Sequence, residues 1–153
     1  MIQKEELHTF LQKYSIATLA SINKKGVPEM AAIYFYTRAD FVLYFVTKSK
    51  TRKLANIVQN PIVTLLIYNK KSLTSIEING KAEVVTDTIE FAQVIEKFES
   101  VFKLQKIKDG SPPISQIKAG NYVACKVTPH HIYFRKFCLR PEQTPVFEEF
   151  SFI

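Results

Sequence analysis

Glycine is scarce in this chain, four in 153 residues, and hydrophobic and charged residues make up 46% and 23%. That balance excludes a low-complexity linker and a disordered tail. Cysteine is rarer still. Cys125 and Cys138 stand too far apart for a Cys-x-x-Cys pair and no further cysteine joins them, so no structural zinc or other metal site is expected. One disulfide between them is open to the sequence, but free thiols in a reducing compartment are the better expectation. Long hydrophobic runs are missing too, for every apolar stretch breaks well before the roughly 20 residues that a membrane span needs. Met1-Ile2-Gln3-Lys4-Glu5-Glu6 lacks the apolar region of a secretory signal. A soluble, cytoplasmic protein with no membrane partner is expected. Arginine is the last scarcity. Of 21 Lys+Arg only Arg38, Arg52, Arg135 and Arg140 are arginine, against 14 Asp+Glu, for a formal +7. Such an excess favours anionic partners. A nucleic-acid reader would use more of the bidentate guanidinium fork, which makes that partner the less favoured one.

What is present reads as one β-rich domain over 1–153, long enough to bury a core unaided. Ile2, Leu7, Phe10, Leu11 and Tyr14 recur at helical spacing. Ile16, Thr18, Ala20 and Ile22 then alternate toward Asn23-Lys24-Lys25-Gly26, where Gly26 suits a tight hairpin turn. Val27 to Tyr36 reads as the return strand, and Phe41 to Thr47 as a strand apolar on both faces and therefore central. Thr51 to Asn60 predicts a helix with Leu54, Ile57 and Val58 on one face, stopped by Asn60-Pro61. Ile62 to Tyr68 reads as a buried strand. Leu73 to Val85 follows, with Asn79-Gly80 inside it as either a hairpin turn or a bulge. Asp87 with Glu90 three residues on forms a capping box. The helix behind it has Ile89, Val94, Ile95, Phe98, Val101 and Phe102 as its stripe, and a polar loop runs from Lys103 to Pro113. Gly120 to Val127 and His131 to Phe137 read as two strands separated by Thr128-Pro129. A tail over about 139–153 carries Phe147, Phe150 and Phe152. About seven hairpin-joined strands with few helices predict a mainly β fold, a small antiparallel barrel with helices outside it. The exposed aromatic tail implies a partner, and a homodimer through a barrel face is the expected solution.

One stretch carries chemistry: Thr47-Lys48-Ser49-Lys50-Thr51-Arg52-Lys53. It joins a strand end to a helix start, with Thr51 as the cap. Hydroxyls, cations and the unpaired N–H groups of a first turn make a site for a phosphate. Read locally, a capped helix starting in a solvated lysine-rich turn fits equally well. Tyr34, Tyr36 and Tyr44 are expected to fill strands, and His130 and His131 to be structural rather than catalytic. No nucleophile–base pair is evident, so no catalytic residue is assigned.

The wider register is more specific. Ile16-Ala17-Thr18-Leu19-Ala20, Gly26-Val27-Pro28-Glu29, Leu43-Tyr44-Phe45-Val46-Thr47, Thr51-Arg52-Lys53, Asn60-Pro61-Ile62-Val63-Thr64-Leu65-Leu66 and Ile78-Asn79-Gly80-Lys81-Ala82-Glu83 follow one another in order. Over roughly the first half of the chain this resembles the flavin-binding split-barrel family that includes pyridoxamine 5'-phosphate oxidase. The resemblance implies a split β-barrel holding FMN. Its phosphate would lie on Thr47, Thr51, Arg52 and Lys53, and its ring beside the backbone of Met30, Ala31 and Ala32. It further implies a flavin-dependent oxidoreductase acting on a small molecule, since the flavin carries the redox chemistry. The oxidase has an arginine at Ala31, a lysine at Tyr36 and a flavin-contacting glutamine at Ser75. Its substrate-binding arginine and histidine have no match around His130-His131-Ile132-Tyr133, while Ser115-Gln116 is similar to a family segment near the substrate phosphate. These departures point to the broader flavoprotein branch. Two other readings stay open: the same fold with a deazaflavin or with haem, the latter favouring His130 or His131, and a non-catalytic basic module for nucleic acid.

Overall fold

The computed structural model describes residues 2–104, 119–138, 140 and 142–152. The chain opens with α1 (Lys4–Gln12), then β1 (Ile16–Ile22), β2 (Pro28–Thr37) and β3 (Leu43–Lys48). After α2 (Arg52–Gln59) come β4 (Ile62–Asn69) and β5 (Thr74–Val84), then α3 (Thr88–Leu104), β6 (Tyr122–Lys136) and β7 (Val146–Ser151). Local chemistry sets several boundaries. Gly26, at φ 77°, takes the left-handed conformation that the β1–β2 hairpin requires. Asp87 accepts a hydrogen bond from the backbone N–H of Glu90 at 2.7 Å, which starts α3 as the capping residues predict.

The strands run in the order β3-β2-β1-β4-β5-β6-β7, and β3 also pairs with β6. That last ladder, from Leu43 opposite Val127 to Lys48 opposite Tyr122, closes six strands into an antiparallel barrel. The mainly β split-barrel expectation therefore holds. Inside lie Leu19, Phe35, Phe45, Leu65, Ile78, Ile132 and Phe134, each buried. Helix α1 adds Leu7 and Leu11 to this core, with Phe10 5.3 Å from the Phe134 ring. No described helix is long and apolar enough to cross a membrane, and both Cys125 and Cys138 are free thiols.

The structure corrects several expectations. Thr128-Pro129 does not interrupt the chain's path through the sheet, because β6 runs through it for 15 residues. The register instead shifts at Asn79/Gly80: Gly80 faces Pro129, Asn79 faces His131, and His130 is the extra residue of a bulge. Proline has no N–H to give the ladder, and glycine lets the backbones meet, so the two belong together. Strand β4 is buried on one face only, leaving Ile62, Leu66 and Tyr68 exposed. Val58 on α2 and Ile89 at the start of α3 also face outward, while Asn56 joins Ile57 on the buried side of α2. The tail is partly a strand: β7 pairs with β6 from Val146 opposite Lys136 to Ser151 opposite His131. Phe150 and Phe152 pack on the chain's own core, with Phe152 4.9 Å from Phe41 and under the ammonium of Lys4, and Phe147 alone of the three stays exposed. The expected polar loop up to Pro113 and the Ser115-Gln116 pair fall mostly or wholly outside the described residues, as does the side chain of Phe102.

Candidate functional site

Strand β3 ends at the barrel rim and the chain turns into α2, so Thr47, Thr51 and Lys53 converge there. Thr47 is buried, and its Oγ1 lies 3.3 Å from Thr51 Oγ1. Lys53 Nζ donates to Thr47 Oγ1, also at 3.3 Å. Thr51 is the N-cap of α2, where its Oγ1 accepts from the N–H of Leu54 at 3.4 Å. Among the described residues, no acceptor takes the N–H groups of Arg52 and Lys53, so the first turn presents them with the positive end of the helix dipole. Burial pushes the Lys53 ammonium below its ordinary value of 10.5. Its neighbour Cys125 is raised to about 12 by burial and stays a neutral thiol.

Two cavities of about 260 Å³ each meet at this point, sharing Thr51 and Lys53. One runs over Glu29, Met30, Ala31 and Arg52. The other runs between Ala32, Tyr34 and Thr47 on the sheet and Phe98 on α3. Seven of the residues expected at the site (Met30, Ala31, Ala32, Thr47, Thr51, Arg52 and Lys53) thus line one continuous cleft on the outer face of β2. Ser75 does not. It lies on β5 opposite Tyr68 and Arg135, away from both cavities. His131 is engaged with Glu149 at 3.2 Å and stacks on Tyr133, and neither it nor the bulged His130 lines the cleft.

Local sequence reading missed a network at the cleft floor. Asn56 on α2 donates to Ser21 Oγ at 3.1 Å and to Glu29 Oε2 at 3.0 Å. Asn23 donates to the other carboxylate oxygen at 3.3 Å, and Arg52 stands 3.6 Å from it. These bonds, Asn56's foremost, hold the Glu29 carboxyl below its ordinary 4.5. A polar residue in the middle of an amphipathic helix, Asn56, was the one available sign.

A closed antiparallel barrel with flanking helices and a hydroxyl- and cation-lined cleft at a strand–helix joint defines the class of fold. Comparison with known families makes this specific. The family model for pyridoxamine 5'-phosphate oxidase matches residues 3–136, and the chain belongs to that family. No curated protein matches the chain significantly. Among solved structures, General Stress Protein 26 from Bacillus anthracis is 24% identical, covering 87% of this chain and 94% of that one with a TM-score of 0.64. An F420 reductase is 21% identical over 82% and 94% of the two chains, TM-score 0.65. HutZ, the heme storage protein from Vibrio cholerae, is 17% identical over 84% and 91%, TM-score 0.64. At these identities the likeness is one of fold.

Proposed function

We propose that the chain binds FMN in this cleft and acts, as a homodimer, as an oxidoreductase on a small molecule. The observation that carries the reading is the joining of Thr47, Thr51 and Lys53 at the first turn of α2. Two hydroxyls, an ammonium and two uncommitted backbone N–H groups suit a phosphate monoester. The donor set fits the flavin phosphate, and Arg52, at 83% side-chain exposure, has the freedom to turn from Glu29 toward it. The outward backbone of Met30, Ala31 and Ala32 then flanks the ring. When bound, the flavin supplies the two-electron chemistry, and the chain supplies orientation and charge.

Dimerisation is supported by the outer face of β1, β2 and β4. Ile16, Met30, Leu66 and Tyr68 are 53%, 72%, 43% and 58% exposed. The register sets Thr18 between Ala32 and Leu66, so this surface is continuous with the cleft. Ser75 lies on the same outward side of the barrel, and a role for it at the flavin belongs to the dimeric reading.

Calorimetric titration with FMN tests the assignment. The wild type is expected to bind, and Arg52→Ala and Lys53→Ala to bind at least about tenfold more weakly, each losing a charge-assisted bond. Equal binding by wild type and Lys53→Ala would place the flavin elsewhere.

A further inference from the structure

The wall of the cleft carries one charge of the wrong sign for a phosphate. Glu29 lines the same arm as Thr51, Arg52 and Lys53, and its side chain is 25% exposed there. The network around it leaves it little freedom. Asn56, buried on α2, donates to Oε2 at 3.0 Å, and Asn23 donates to Oε1 at 3.3 Å. Asn56 is tied in turn to the buried Ser21 hydroxyl. Because these bonds hold the carboxyl below its ordinary value, Glu29 is an anion at neutral pH.

Among the described residues its ion-pair partner is Arg52, 3.6 Å from Oε1 on a side chain that is itself largely exposed. A long, exposed pair of this kind is weakly held. Arg52 therefore answers to two anions. In the structure it faces Glu29, and a phosphate on Thr51 and Lys53 would draw it away. Drawing it away leaves the carboxylate unneutralised on the wall of the cavity that the phosphate enters. The resulting repulsion grows with the charge of the ligand and vanishes for a neutral one. Asn56 and Asn23 keep the carboxylate from swinging clear.

We infer that Glu29 is a specificity-determining residue of the cleft. It competes with the ligand's phosphate for Arg52, so the cleft holds a phosphate ester less tightly than its hydroxyls and cations alone would. The inference rests on the phosphate part of the flavin reading and goes beyond it, since it sets how strongly the phosphate counts.

Calorimetric titration of the wild type and Glu29→Gln with FMN, and with riboflavin, which lacks the phosphate, tests it. Glu29→Gln keeps the shape and an amide oxygen for Asn56 while removing the charge. It is expected to bind FMN about fivefold or more tightly than the wild type, with riboflavin unchanged within about twofold. Glu29→Ser removes the same charge and opens Asn56 to water, and it decides the matter if Glu29→Gln does not fold by circular dichroism. Unchanged or weaker FMN binding in the folded variant would overturn the inference. So would a change shared by riboflavin, because a merely structural carboxylate, or one that binds the flavin's hydroxyls, moves both ligands alike. Should the wild type ignore FMN, inorganic phosphate takes its place, followed by the amide shifts of Thr51, Arg52 and Lys53. Tighter phosphate binding by the variant would then uphold the role of Glu29 while the flavin assignment falls. Phosphate bound equally, or by neither protein, would remove both.

Discussion

At Glu29 a carboxylate stands beside a cluster built to attract an anion. Bonds from Asn56 and Asn23 fix it, and Arg52 partly offsets its charge. Because its carboxyl lies below the ordinary 4.5 in the folded chain, the network's contribution to stability is fully present above that value. It is lost as pH falls through the lowered folded value, where the native carboxylate takes up its proton. Glu29→Gln should therefore destabilise the protein at pH 7, and the difference in melting temperature should shrink toward zero as pH falls through that lowered value. A difference that stays constant with pH would deny the carboxylate its role. At Lys53 the sign is the reverse of an ordinary ion pair. Burial disfavours its charge, and a bound phosphate would restore it, so affinity for FMN should fall as alkaline pH neutralises this lysine.

Among the elements, the β5–β6 ladder and the start of α2 are the most exposed to test. A Cβ added at Gly80 would fall on the Thr128 carbonyl oxygen and lie 3.0 Å from Pro129 Cα, both backbone that cannot swing aside. Gly80→Ala should cost about 1–3 kcal/mol in denaturant unfolding. Thr51→Ala removes the cap of α2 and should cost about 1 kcal/mol, while also weakening FMN because the same hydroxyl faces the cleft. The caps were legible in the sequence because Thr51, and Asp87 with Glu90, act on backbone groups within three residues. The bulge was only half legible. Asn79-Gly80 announced an irregularity, but that Pro129 stands opposite depends on a pairing across some fifty residues of chain. Strand β7 was not legible, since its aromatics, following Pro141 and Pro145, read as a tail until β6 offered it an edge.

For the whole molecule, strand alternation and hairpin turns pointed to a barrel, yet its closure through β3 and β6 is non-local and left no local mark. The same non-locality hid the Ser21–Glu29–Asn56 network, whose members come from three elements. The apolar positions on β1 and β4 were visible, but which face they occupy depends on register. Four of the outward residues remain exposed in one chain, and a dimer would cover them. Replacing Leu66 and Tyr68 together by glutamate should convert the species seen by light scattering from dimer to monomer while leaving the circular dichroism of the barrel unchanged. If the flavin site lies at that face, the same double variant should lose FMN affinity.

The central assignment rests on the cleft at α2. The most direct measurement is the visible spectrum of the purified protein, before and after addition of FMN, with mass analysis of whatever acid releases. The account predicts visible flavin absorbance bands, present as purified or gained and perturbed on addition at about one flavin per chain. A spectrum that ignores FMN, or a Soret band accompanied by released haem, would contradict it.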